Sequence, residues 1–371
     1  MIKHILIDGT TISRRMDGLS QYILNVVSRL PQRPDRQYHI VVRPDECPQT
    51  YVEVWRQRGI EVLTASIAPI GPLREWQFLR WLRTQRPFDA ALVPSNQYPT
   101  ALKIPTVYVV HDIIYERYSS QLGKNAFFKR WWLHANVACG LKQAQRVVAV
   151  SHFTKEELLR FHPKTNEGKI SVVYEGWEHL RQEWSKEEVP MPFKEYILYI
   201  GSSRGHKNMN GLLKAMSIAA DQMPEGAGLM IVGDDRMLSD AQRQMIDALQ
   251  GRVMTTGWLS QEALNTYCNY AKAIIFPSLC EGFGIPVLEA FYFRKPLLLS
   301  NASSLPEVAG DAAIYFDPLQ PEDIARQINS VWNMSDAEQA LWIAKGQQRL
   351  KLFSWQKTAD EIETIMSNIL V

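Results

Sequence analysis

Short, nearly unbroken apolar runs alternate along the chain with longer stretches in which apolar positions recur at helical spacing. In the first half the runs fall at 4–7, 38–42, 61–64, 89–93, 106–110 and 146–150. Between the first two, Leu19, Tyr22, Ile23, Val26, Val27 and Leu30 trace one face of a helix. Strands that are apolar on both faces, separated by amphipathic helices, predict parallel sheets covered on each side.

The rhythm breaks over the polar, charged stretch 181–192 and then restarts, with runs at 196–200, 229–232, 253–256, 273–276, 296–299 and 313–316. Two α/β domains of similar size are therefore expected, 1–180 and 195–350, joined by a linker at 181–194. Ser354 is placed to cap a last helix whose apolar face is Trp355, Ala359, Ile362, Met366 and Ile369. A length of 371 residues suits two cores better than one.

Charge sharpens this picture. Residues 1–185 hold 25 Lys and Arg against 17 Asp and Glu, a net of +8, and residues 186–371 hold 16 against 22, a net of −6. The basic half suits an anionic lipid surface or a phosphorylated acceptor. The four cysteines, Cys47, Cys139, Cys268 and Cys280, have no zinc or redox spacing and fit a reduced, cytoplasmic setting. Asp8, Arg14 and Arg15 interrupt the early apolar positions, so neither a secretory leader nor a membrane span is expected.

In open parallel sheets ligands bind beyond the carboxyl ends of the strands. The loop after run 196–200 holds Gly201, Ser202, Arg204, His206 and Lys207 just before a helix start, a setting that suits a diphosphate. After run 273–276 comes Glu281-Gly-Phe-Gly-Ile-Pro-Val-Leu-Glu289, which opens another helix with Pro286 in its first turn. Gly282 and Gly284 leave room for a ligand against the backbone. Glu281 can accept from sugar hydroxyls and Glu289, a turn into the helix, from a ribose. Read without a ligand, Glu281 is a helix cap and Glu289 a solvated face residue.

These two glutamates with Gly-Phe-Gly-Ile-Pro between them resemble the signature of retaining family 4 glycosyltransferases, which have the GT-B fold. The resemblance extends over Val110-His111-Asp112, the segment 146–151, the loop 201–208, Val232-Gly233, Gly257-Trp258 and Ser303-Ser-Leu-Pro-Glu307, nearly the whole chain. It implies two Rossmann-like domains facing a central cleft, with a C-terminal helix, 351–371, returning to the N-terminal domain. It also implies donor contacts at Gly18, Gly201, Ser202, Arg204, Gly233, Trp258, Gly282, Phe283, Gly284, Ile285, Leu288 and Glu289. Lys207 would neutralise the diphosphate, Glu281 would hold the hexose and His111 would sit at the reaction centre. Many members carry an arginine where this chain has Ser202, and Arg204 or His206 is the candidate replacement.

The reaction so implied moves a hexose from a UDP-glucose-type or GDP-mannose donor to a saccharide or lipid-linked saccharide acceptor with retention. No cofactor, metal or nucleic acid takes part. Lys207 and helix N–H groups supply the charge a divalent ion would give, and the pair Asp234-Asp235 lacks further ligands for one. Asp17, where similar enzymes have a second glycine, would repel a phosphate and points to a neutral acceptor.

Ser151, with Thr154 and Glu157, reads as a helix-capping signal rather than a nucleophile. Two stretches mix bases with large aromatics. In 74–86, Phe78, Trp81 and Leu82 share a stripe; 124–133 holds Lys124, Phe127, Phe128, Lys129, Arg130, Trp131 and Trp132. Each suits either an anionic membrane surface, at the inner face of the plasma membrane, or a core-facing helix. The alternatives to a transferase are a glycosidase using the paired glutamates and a non-catalytic sugar-nucleotide or polysaccharide-binding subunit of the same fold.

Overall fold

The computed structural model describes residues 2–14, 16–119, 123, 125–180 and 189–370. Most of the expected linker, 181–188, lies outside the described residues, as do Arg15 and Lys124. The chain forms two compact units, Met1–His179 with Ser354–Val371, and Leu180–Phe353.

In the first unit the strands are β1 (Lys3–Gly9), β2 (Arg36–Val42), β3 (Glu61–Thr64), β4 (Ala90–Val93), β5 (Thr106–Val110), β6 (Arg146–Ala149) and β7 (Ile170–Val172). They form one parallel sheet in the order β3-β2-β1-β4-β5-β6-β7. Six of them answer the apolar runs. The seventh, Ile-Ser-Val at the sheet edge, is too short to show a period of its own. The register pairs Ile5 with both Tyr38 and Ala90, so β1 is central and its residues Ile5–Ile7 are fully enclosed. Leu6, Val41, Phe78, Val93, Tyr108 and Val147 belong to one core cluster beside the sheet.

The second unit repeats the plan. Its strands are β8 (Glu195–Ile200), β9 (Ala227–Val232), β10 (Val253–Thr255), β11 (Ala273–Phe276), β12 (Leu297–Ser300) and β13 (Ile314–Phe316). All are parallel, in the order β10-β9-β8-β11-β12-β13. In each sheet the chain works outward from its first strand, then crosses back to build the other side. From β1 the chain proceeds to one side of the sheet and from β4 to the other, and likewise from β8 and β11. Such a switch point leaves a crevice beyond the carboxyl ends of the two strands.

The last helix, Trp355–Ser367, belongs to the first unit. Ser354 accepts from the amides of Gln356 and Lys357 and hydrogen-bonds Glu178 at 2.5 Å. Trp355 is fully buried, edge-on to Tyr22 with centroids 5.7 Å apart, and Glu363 pairs with Arg36 and the Tyr38 hydroxyl. Among the described residues no helix is long and apolar enough to cross a membrane.

Candidate functional site

The crevice of the second unit is lined by the two loops singled out from the sequence. At the end of β8, Gly201 donates its amide to Val232 at 3.0 Å. The Gly201 carbonyl oxygen lies 2.0 Å from where a β-carbon on Gly233 would stand. Only glycine lets the ends of β8 and β9 meet so closely. The chain then makes a tight turn, Gly205–Lys207, and Asn208, at φ 56°, caps the helix Met209–Ala219 by accepting from the Gly211 amide. Arg204 is exposed, whereas His206 is buried and its carbonyl accepts from the Leu279 amide at 2.7 Å, tying one loop to the other. Burial pulls the His206 imidazole down to about 4, so it is neutral near pH 7 and Arg204 is the added positive charge in this loop.

Lys207 emerges from that turn with its ammonium 2.8 Å from Glu281 Oε1 and 5.0 Å above the Phe276 ring. The Glu281 segment is anchored by two serines that follow β12. The Ser303 hydroxyl accepts from the Glu281 amide at 3.0 Å, and the buried Ser304 hydroxyl donates to the carbonyls of Glu281 and Phe283 at 3.0 and 2.9 Å. Gly284, at φ 103°, turns the chain into the helix Ile285–Tyr292, and no side chain caps that helix start. A β-carbon there would also lie 2.7 Å from Leu305.

Glu289 sits one turn in, half-buried. Loss of hydration pushes its carboxyl up to about 7, against the opposing pull of Lys207. Of the other residues in this stretch, Gly282 is buried, Ile285 half-buried, and Phe283 packs edge-on to Phe353 at 5.8 Å. Leu288 lies on the inward face of the helix with its side chain fully buried, which leaves its backbone as the part that can meet a donor.

Beyond β9, Asp234 accepts both arms of the Arg236 guanidinium at 2.8 and 2.9 Å, which holds its carboxyl down to about 2. The Asp234 carboxylate is thus occupied by an arginine. Trp258 also lowers the Asp234 carboxyl through a hydrogen bond and is largely exposed.

In the first unit, His111 follows β5. Its amide donates to Asn96 Oδ1 at 2.8 Å, its Nδ1 lies 3.1 Å from Glu175 Oε1 and its Nε2 3.1 Å from the Pro94 carbonyl. Tyr22 packs edge-on against the ring, centroids 4.6 Å apart. Both ring nitrogens thus face acceptors, and a singly protonated ring can donate to only one of them. Gly18 is exposed at the start of the helix Gly18–Arg29, with Asp17 as its cap, accepting from the Ser20 amide at 2.9 Å and the Ser20 hydroxyl at 2.7 Å. Ser151 is likewise a cap, accepting from the Thr154 amide at 3.0 Å, while Glu157 leaves the capping pattern to pair with Arg117.

The two aromatic stretches part ways. In 74–86, Phe78 is fully buried and meets Trp81 at 5.6 Å, and Arg74 is buried against Asp8, so this stripe faces the core. In the second stretch, Phe127, Phe128 and Trp131 are 76%, 69% and 64% exposed, with Lys129 and Arg130 exposed among them.

The structure therefore brings Lys207 and Glu281 into contact, with Glu289 near enough for the Lys207 charge to act on its carboxyl. Gly18 and His111 belong to the other unit. Sequence reasoning did not single out Phe276 beneath the ammonium, the roles of Ser303 and Ser304, or Glu175 beside His111. Ser303 and Ser304 lie in a segment that carried the family resemblance, but nothing in their spacing announced a hydrogen bond to Glu281.

Comparison with known proteins agrees along the chain. Residues 181–349 match the family described as glycosyl transferases group 1, and residues 16–179 match glycosyltransferase family 4. An O-antigen chain mannosyltransferase B of Escherichia coli is 27% identical over 224 residues, 58% of this chain and 58% of that protein. The O-antigen chain mannosyltransferase RfbU of Salmonella typhimurium is 24% identical over 346 residues, 90% of this chain and 92% of that one. Among solved structures, Anabaena Alr3699/HepE in complex with UDP and glucose superposes with a TM-score of 0.72 at 15% identity, covering 99% of this chain and all of that one. WaaG, a glycosyltransferase involved in lipopolysaccharide biosynthesis, gives 0.71 at 14% identity with the same coverage. At such identities the two structures speak for the shared GT-B architecture alone.

Proposed function

The chain belongs to the glycosyltransferases of group 1 and family 4, and on that footing we propose that it moves a hexose, with retention and without a divalent ion, onto a saccharide acceptor of bacterial surface-polysaccharide assembly. The observation that carries the donor side is the Lys207–Glu281 pair, 2.8 Å apart on the loops that follow the neighbouring strands β8 and β11. An arriving diphosphate takes the ammonium, and the freed carboxylate accepts from hydroxyls of the hexose. Lys207 and the uncapped helix start at Gly284 stabilise the charge that grows on the leaving group. One such donor is typically worth about 3 kcal/mol of barrier.

In the proposed step the acceptor oxygen bonds to the anomeric carbon on the face from which the carbon–phosphate-oxygen bond breaks. The acceptor proton passes to a departing phosphate oxygen, giving the glycoside and a nucleoside diphosphate. Glu289 takes the ribose, Trp258 and Gly233 border the base, and Arg204 adds charge that a serine at 202 does not give. In the first unit, His111 is oriented by Glu175 and Pro94.

The mannosyltransferases among the relatives favour a mannosyl donor and a lipid-linked O-antigen-type acceptor. The exposed Phe127, Phe128 and Trp131 beside Lys129 and Arg130 favour peripheral docking on an anionic membrane, at its cytoplasmic face. A non-catalytic binding subunit is disfavoured by the intact set of Lys207, Glu281 and Glu289.

Calorimetry with GDP, UDP, GDP-mannose, UDP-glucose and the free nucleosides tests the reading. Lys207→Ala should weaken diphosphate binding about 100-fold and leave nucleoside binding nearly unchanged, and added Mg2+ or Mn2+ should leave turnover unaltered. Equal losses for diphosphate and nucleoside would remove Lys207 from the phosphate, and tighter binding of UDP-glucose than of GDP-mannose would replace the mannosyl donor.

A further inference from the structure

Away from the crevices, three helices of the first unit converge on a cluster that the transfer chemistry leaves unused. Glu116 lies on the short helix Ile114–Arg117, His134 in the middle of Ala126–Gln143, and His162 at the end of His152–Phe161. One ligand atom from each lies within 4.8 Å of the other two. His134 Nδ1 stands 2.5 Å from Glu116 Oε1, and the two imidazoles stack with centroids 4.4 Å apart. We propose that Glu116, His134 and His162 bind one Zn2+ ion.

Hydrogen bonding by itself accounts for only part of the cluster. Glu116 is satisfied by His134 and by Arg130, whose Nε lies 3.0 Å from Oε2. His162 is not. Its ring is buried, and its Nε2 has no hydrogen-bond partner. An orphaned ring nitrogen in a buried place calls for a ligand.

The chemistry of the set selects the ion. Two imidazoles and one carboxylate, with no thiolate, suit Zn2+, which takes His and Glu ligands at roughly 2.0–2.2 Å in tetrahedral array. Tetrahedral bonds of that length put ligand atoms roughly 3.3 Å apart, so binding requires the three ligand atoms to close in from a spacing of up to 4.8 Å. Mg2+ and Ca2+ prefer oxygen donors and are disfavoured. Arg130, four residues before His134 on the same helix face, grips the second oxygen of Glu116, the outer contact that orients a ligating carboxylate. Its charge beside the ion lowers the affinity. His134 is partly exposed, so water can fill the fourth position. An ion here would join three successive helices and stabilise the first unit by mass action.

The test uses the full chain, freed of any affinity tag and stripped with a chelator, titrated with ZnCl2 by calorimetry and followed by thermal unfolding. One Zn2+ should bind per chain and raise Tm, and MgCl2 should do neither. His134→Ala, His162→Ala and Glu116→Gln should each weaken binding at least tenfold. The His134 ring is partly exposed, so His134→Ala keeps the test decisive should His162→Ala fail to fold. Zinc-edge absorption should show two imidazoles and oxygen ligands. No saturable binding, an undiminished Tm rise in His134→Ala, or a sulfur shell would each overturn the site.

Discussion

The two units share a strand order but fill their crevices in opposite ways. At the carboxyl end of β1 stand Asp8 and Thr10, closed over by Arg74, all three buried. The guanidinium pairs with Asp8, and the Thr10 hydroxyl donates to Asp8 at 2.6 Å. At the matching end of β8 stand Gly201 and two serines, followed by a lysine that keeps some exposure and pairs with the buried Glu281. Topology provides a crevice in both places. Side chains decide whether it is sealed or open, so an ionic pair is locked into the core in one unit and, in the proposed function, receives a ligand in the other.

The largest expected effect breaks the sealed side. Arg74→Ala strands Asp8 as a buried, unpaired carboxylate, and such losses cost about 3–5 kcal/mol. Chemical denaturation should show that drop, while the affinity of the folded protein for a nucleotide sugar stays at the wild-type value. A variant as stable as wild type would mean that the first crevice admits water. A large loss of affinity with stability intact would mean that the donor sits there.

The same contrast explains what could be read from the chain in advance. Both sheets were legible because their strands are buried on both faces and so appear as apolar runs. β7 escaped because three residues at a sheet edge carry no period. The loop with Lys207 and the loop with Glu281 were legible through glycines at strand ends. Their contact was not, since it depends on β8 and β11 being neighbours although 72 residues separate Ile200 from Ala273. Arg74 misled in the other direction. Among aromatics and other bases it looked like a surface cation, but its partner, Asp8, is distant in sequence. Likewise Glu116, His134 and His162 come from three helices with no motif spacing, and only the fold assembles them.

A smaller effect sharpens the open side through pH. The Glu289 carboxyl is raised to about 7 by burial, so in the folded protein the proton is held more tightly than in the unfolded chain. Its contribution to stability is full below the ordinary carboxyl range and is lost as pH rises through about 7. Donor binding should run the other way, because ribose hydroxyls bond best to the ionised carboxylate. Affinity for a nucleotide sugar, whose diphosphate stays ionised throughout, should rise roughly tenfold between pH 6 and 8 as that carboxyl ionises. Glu289→Gln should flatten the profile. A flat wild-type profile would separate Glu289 from the ribose.

The smallest effect returns to the first unit, at Asp17. As an acidic neighbour of Gly18 it suggested repulsion of phosphate, yet its carboxylate caps the helix Gly18–Arg29 through Ser20. Capping and charge can be pulled apart, because asparagine caps about as well as aspartate without the charge. Asp17→Ala should cost about 1 kcal/mol of stability and Asp17→Asn much less. With the donor on the second unit, as proposed, neither should change affinity for a nucleotide sugar. If both variants lost stability equally, the charge beside the helix start would matter more than the hydrogen bonds. If Asp17→Asn instead tightened nucleotide binding, the first crevice would be in contact with phosphate, and the division of labour between the two units would have to be redrawn.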